Sequence, residues 1–224
     1  TDNLTMSLDY WSFNFKNQVT AENANQVIQA DPTGPNVIRD ADGQLLAVNV
    51  GYFNSGSTKT NGVDFRLDYQ FEPFSGHRFN LSNSLTWINE YTIQTGAGQP
   101  SYNVVGRRND NNPGFVAPEF RNTTQLSWRY DAHSANITMR YVDGVEDDIF
   151  LPMNYEQPWG MISSSTVIDA QYSFNFGSND EYQIAVGAIN LFDREPPAAY
   201  FTKYLSSAAD PLGRQAYIRL AVNF

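Results

Sequence analysis

Hydrophobic and polar residues alternate with a period of two along most of this chain, most cleanly from Gly62 to Phe71. There Val63, Phe65, Leu67, Tyr69 and Phe71 alternate with Asp64, Arg66, Asp68 and Gln70. The spacing predicts a strand with one apolar and one charged face. Glu72-Pro73-Phe74-Ser75-Gly76-His77 reads as a turn from its Pro and Gly. The return strand sets Phe79, Leu81, Leu85 and Trp87 against Asn80, Ser82, Ser84 and Thr86. The unit recurs at Phe120 to Tyr130 with Ala135 to Tyr141, around Asp131-Ala132-His133, and again at Ile168 to Phe176 with Tyr182 to Ala188, around Gly177-Ser178-Asn179-Asp180. A last strand carries Ala216, Ile218, Leu220, Val222 and Phe224 on one parity. In the first strand, about Leu4 to Val19, Leu4, Met6, Leu8 and Tyr10 share a parity that Trp11, Phe13 and Phe15 leave, which predicts a bulge near Tyr10-Trp11.

Connections alternate between short turns, near residues 72 to 78, 131 to 134 and 177 to 181, and long segments, near 20 to 45, 94 to 118, 143 to 165 and 193 to 213. Outer-membrane barrels have short periplasmic turns and long extracellular loops. With the C-terminus on the periplasmic side, counting back through about eight strands puts every long loop outside. Aromatics cluster beside the short turns (Tyr69, Phe71 and Phe79; Trp128 and Tyr130; Phe174, Phe176 and Tyr182), as an interfacial girdle requires. A water-soluble β-sandwich shares the alternation but needs neither the girdle nor the loop asymmetry. The expected fold is therefore all-β: an antiparallel, up-and-down transmembrane β-barrel segment of about eight strands.

Composition removes other classes. The charge of -10 and the absence of a basic stripe argue against a nucleic-acid partner. Apolar runs are broken too often for a membrane helix of about 18 apolar residues, and a mean hydropathy of -0.45 does not exclude a barrel, whose alternating faces average to a polar value. With no cysteine, disulfide frameworks and thiolate metal sites are excluded. The chain begins without signal-peptide regions, which reads as a mature chain or a fragment.

Gly187-Ala188-Ile189-Asn190-Leu191-Phe192-Asp193-Arg194-Glu195-Pro196-Pro197 resembles the final hairpin of TonB-dependent outer-membrane receptors, with its xNLFDxxPP pattern. The segment Asp210 to Phe224 resembles their last strand, ending in an aromatic. Leu8-Asp9-Tyr10-Trp11 with Asn17-Gln18-Val19, and Asn54 with Thr60 to Phe65, extend the resemblance almost end to end. It implies a C-terminal portion, residues 1-224, of a plugged barrel of about 22 strands. It further implies uptake of a siderophore, cobalamin or oligosaccharide, driven by the TonB complex through a plug domain that is not in this chain. The remaining partners implied are outer-membrane lipid, the barrel-assembly machinery and a second chain completing the barrel. Tyr217, Ile218, Leu220, Val222 and Phe224 take the role of a barrel-insertion signal. An eight-stranded sheet can also close on itself, so a stand-alone barrel with a structural or adhesive role is the alternative, decided by whether the first and last strands pair.

Ligand binding is expected in the long loops, where aromatics and charges converge. The candidates are Tyr102, Arg107, Arg108, Asn109, Asp110 and Asn111, then Tyr155 and Trp159, then Tyr200, Phe201 and Tyr204. Arg107 and Arg108 suit an anionic ligand; an intraloop ion pair is the simpler alternative. Asp143, Glu146, Asp147 and Asp148 lack the spacing of a calcium loop and read as solvated acids. His77 and His133 fall in the short turns as isolated surface residues, on the wrong side for rim catalysis. No hydrolase or phosphate-loop motif occurs, so neither enzyme activity nor a cofactor or metal is expected.

Overall fold

The computed structural model describes residues 3–22, 24–94, 101–108, 116–147, 160–178, 180–199, 203–204 and 210–222. Eight strands form one sheet: β1 (Leu4–Ala21), β2 (Tyr52–Phe74), β3 (His77–Gln94), β4 (Phe120–Tyr130), β5 (His133–Val142), β6 (Ser165–Phe176), β7 (Tyr182–Ile189) and β8 (Gln215–Val222). They lie side by side in chain order, with β1 and β8 at its two ends. The sheet is open, so the self-closed small barrel is not the arrangement adopted.

The chain divides into two compact units. One comprises Thr1–Trp11, Asn61–Asn89 and Val104–Phe224, and holds all of β4 to β8. The other comprises Ser12–Thr60 and Glu90–Asn103. Within it lie a short helix, α1 (Ala24–Ala30), a hairpin of Val37–Arg39 with Leu45–Val48, and Ser101–Asn103 paired to the end of β3. The helix and the hairpin fill much of the first expected loop. Their local chemistry is that of turns: Asp40 Oδ1 accepts from the N–H of Asp42 (3.0 Å) and of Gln44 (2.8 Å). In β1 the left-handed residue is Asn17 (φ 55°), further along than the expected bulge.

In the first unit register sets the two faces apart. Leu126 pairs with Leu81 on one side and Ile137 on the other, Tyr172 with Ala135 and Val186, and Val186 with Ile218. One side of the sheet is thereby a continuous apolar surface, and it is exposed: Ile218 is 74%, Leu220 73% and Leu8 72% accessible. The other side is polar. Asn136 Nδ2 donates to Ser127 Oγ (3.0 Å), Ser82 Oγ to Asp68 (2.6 Å), Thr86 Oγ1 to Asp64 (2.7 Å), and Arg140 pairs with Asp169 (3.0 Å). A water-soluble sheet buries its apolar face; this one presents it, which suits a lipid surround.

The short connections are tighter than the sequence indicates. Only Ser75–Gly76 and Asp131–Ala132 intervene between strands, with left-handed backbone at Gly76 (φ 76°) and Asp131 (φ 48°), as two-residue hairpin loops favour. This corrects the reading of the histidines as isolated. His77 and His133 open β3 and β5 and enter the aromatic band: His77 stacks on Tyr130 at 3.9 Å and accepts the Trp128 indole N–H (3.1 Å), and His133 lies 4.9 Å from Phe174. Phe71–Phe79 and Phe176–Tyr182 stacks extend the band along the short-turn end. At the opposite end Trp87 stacks with Phe120 (6.3 Å) and donates to Glu119 (3.1 Å).

Both end strands are keyed to their neighbours by an aromatic laid over a glycine. A Cβ on Gly187 of β7 would stand 2.5 Å from the Tyr217 ring of β8. The bare glycine lets that ring cross β7 and donate its hydroxyl to Gln171 of β6 (2.8 Å). On β2, Gly62 accommodates Trp11 of β1 in the same way, with a would-be Cβ 2.5 Å from the indole. A one-residue slip would turn the whole strand over, so each contact fixes register. Tyr217→Phe should cost about 1 kcal/mol, the net worth of one hydrogen bond. Gly187→Val should cost about 1–3 kcal/mol from overpacking. Denaturant midpoints of the folded protein in detergent check both, and a Gly187→Val midpoint equal to the parent's would refute the keying.

Candidate functional site

The long connections after β3, β5 and β7 carry most of the expected ligand residues. They are not independent loops. Val145–Asp147 pairs antiparallel with Met161–Ile162 and parallel with Arg107–Arg108, making a three-stranded sheet from two connections. Gly106 N donates to Ala117 O (2.7 Å) and Glu146 N to Gly106 O (2.8 Å). Val116, Val145, Ile162 and Ala199 close into one apolar cluster, so the last connection contributes as well. Most of the buried hydrophobic side chains, including Val104 and Ala117, sit in these connections and not in the sheet. That follows from solvent: loops in water must bury their apolar residues against one another, whereas strands in lipid need not. Gly144 packs so closely on the Ile162–Ser164 backbone that a Cβ would meet Ile162 O at 2.8 Å.

Of the sequence candidates, Arg107 is exposed and pairs with Glu146 (3.0 Å), an ion pair between two connections. Arg108 lies in the same strand, its backbone opposite Asp147. Tyr102, half-buried and opposite Ile93, belongs to the other compact unit. Tyr204 pairs through its backbone with Ala198. Asn109, Asp110, Asn111, Tyr155, Trp159, Tyr200 and Phe201 lie outside the described residues. Asp143 Oδ1 accepts from Tyr141 Oη (2.9 Å) and from Gly144 N (2.9 Å). Asp147 is 3% exposed, whereas the sequence reads it as a solvated acid. The loop cluster that the sequence missed buries it; the apolar Val104, Val116 and Val145 within polar loops were the available signal. Asp148 is outside the described residues, among which no three His, Asp or Glu side chains converge as metal ligands.

The Asn190-Leu191-Phe192-Asp193 string is a turn held by its own side chains. Asn190 is buried, in left-handed backbone (φ 52°); its Nδ2 donates to Arg194 O (2.9 Å) and its Oδ1 accepts from Arg194 N (2.7 Å). Asp169 Oδ1, already paired with Arg140, accepts from Asn190 N (2.8 Å). Asp193 Oδ1 accepts from Arg214 N (2.8 Å), joining the start of the connection to its return. The motif thus sets the exit of β7 and the entry to β8. Of the expected insertion residues, Ile218, Leu220 and Val222 share the exposed apolar face, Tyr217 lies on the polar face, and Phe224 is outside the described residues.

The chain superimposes over almost its full length on parts of larger solved proteins. The outer membrane transporter YddB from Escherichia coli superimposes with a TM-score of 0.64 at 14% identity, covering 99% of this chain and 30% of that one. The chain has the fold of a part of such a transporter. The siderophore receptor PirA from Acinetobacter baumannii (TM-score 0.59, 15% identity) is covered over 30% of its length by all of this chain. The ferric-catecholate import receptor Fiu from Escherichia coli (0.55, 16%) is covered over 25% by 98% of it. The chain therefore spans less than a third of the length of these proteins. No protein-family model and no curated protein matches the sequence.

Asn190→Ala should destabilise by about 1–3 kcal/mol, since it strips the turn of its side-chain hydrogen bonds and keeps a Cβ in left-handed backbone. Asn190→Gly loses the same bonds but relieves the backbone, and should be the milder variant. Parallel denaturation of the two checks the order; an inverted order would show that φ is not what selects Asn here.

Proposed function

We propose that this chain is the C-terminal barrel portion of a TonB-dependent outer-membrane receptor that imports a scarce nutrient, with a ferric siderophore as the first ligand class to test. The observation that carries the reading is the pairing of an exposed apolar face with a hydrogen-bonded polar one on a sheet open at both end strands. It aligns over almost its full length with a transporter, an import receptor and a siderophore receptor. Backbone groups on an unpaired strand edge are costly in lipid, so β1 and β8 call for further strands, from the rest of the polypeptide or from a second chain, toward a total of about 22. The apolar face then meets lipid and the polar face lines the lumen. The interlocked connections form part of a ligand-receiving rim, with Arg107 and Arg108 suited to an anionic chelate. Energy arrives from the TonB complex through a plug domain, the assembly machinery reads the last strand, and no catalysis is involved.

The deciding experiment is uptake and binding by the full-length receptor in cells, using panels of ferric chelates, cobalamin and oligosaccharides. Energy-dependent uptake of one panel member is expected, with loss on removal of TonB. Binding of none by a protein with a complete plug would reject the reading. In the same assay, Arg108→Ala should weaken an anionic ligand about tenfold, equivalent to about 1.4 kcal/mol. Arg107→Ala, which also releases Glu146, should do so without lowering stability by more than about 1 kcal/mol, because the pair is exposed.

A further inference from the structure

The polar face holds one arrangement that its own residues do not complete. Arg78 of β3 and Arg129 of β4 are direct cross-strand partners. Both are exposed and line a recess near the short-turn end of the sheet. Like charges directly opposite each other on adjacent strands repel, and neither guanidinium makes an ion pair or side-chain hydrogen bond among the described residues. The acidic neighbour lining the same recess, Glu72, is drawn away: its Oε1 accepts the Gly76 N–H (2.7 Å) and so caps the turn. Around the two arginines the walls are Ser127, Asn136 and Gln171, neutral groups that hydrogen-bond but supply no counter-charge. Further along this face Arg140 has such a counter-charge in Asp169, at 3.0 Å.

We infer that Arg78 and Arg129 form a clamp for a carboxylate, carried on an acidic side chain of a segment of the same polypeptide lying outside residues 1–224. The inference rests on the proposed function in one respect, that this chain is part of a longer receptor. Two observations select this occupant. Paired guanidinium forks offer parallel N–H donors that match a carboxylate, and a carboxylate between them converts a repulsive pair into an attractive one. The solved proteins of this fold are more than three times as long as the stretch this chain covers, so ample polypeptide exists to reach the recess. Lipid is on the other side of the sheet, against the apolar face.

The test uses the full-length receptor in outer-membrane preparations, with R78K and R129K made separately. A water-soluble carbodiimide joins an amine to a carboxylate in salt-bridge contact as an amide, and the cross-linked peptides are mapped by mass spectrometry. R140K serves as the internal control, because position 140 faces Asp169 at 3.0 Å and should link to it. The expected result is a link from position 78 or 129 to an Asp or Glu of the same polypeptide beyond residues 1–224, lost when that acid is changed to its amide. A link only to Glu72, a link to a different protein, or no link while the R140K control succeeds would overturn the clamp. Uptake can persist in any of those cases, so failure of the clamp is separable from failure of the receptor reading. A polypeptide that proves to contain only these residues would instead remove the receptor reading itself.

Discussion

The pairing of backbone N–H and C=O groups across the sheet is the interaction on which everything else in this protein depends. In hydrocarbon no water can satisfy those groups, so a spanning β-structure must pair each strand with a neighbour. The ladders from β3 to β8 do this in unbroken antiparallel register. Once the backbone is satisfied, side chains on the outer face are free to be apolar and accessible, which is why Ile218 and Leu220 are exposed without being a defect. The same constraint makes register decisive, and the Tyr217–Gly187 and Trp11–Gly62 contacts hold it at the strands that have a single neighbour each.

Stability is consequently divided between the sheet and its connections. In the strands, hydrogen bonds and the aromatic stacks near His77 and His133 order the short-turn end. In the connections, the ordinary hydrophobic effect returns, and Val116, Val145, Ile162 and Ala199 cluster as a core would. The Arg107–Glu146 pair bridges two of these connections, and the Asn190 turn fixes the start of the last one.

Alternation made the strands legible, because a period of two is imposed by the pleat itself. It located six of the eight strands to within a few residues, whereas β2 and β3 run on to Tyr52 and Gln94 through the less regular Ser55–Thr60 and Tyr91–Gln94. The girdle and the turn positions were equally readable. The loop site was not. Asp147 and Arg107 look alike as charged loop residues in sequence, yet one is buried and the other bridges two connections. Their partners lie in distant stretches of chain, and no periodicity encodes which connection will pair with which.

The sequence by itself determined the strand count, the two faces, the short and long ends and the likeness to receptor barrels, since each follows from local pattern. Only the tertiary structure decided that the sheet stays open between β1 and β8, that three connections share one core, and that two arginines face each other without a counter-ion among the described residues. Those outcomes depend on which strands and loops meet, and long-range pairing is set by the summed packing and hydrogen bonding of the whole fold.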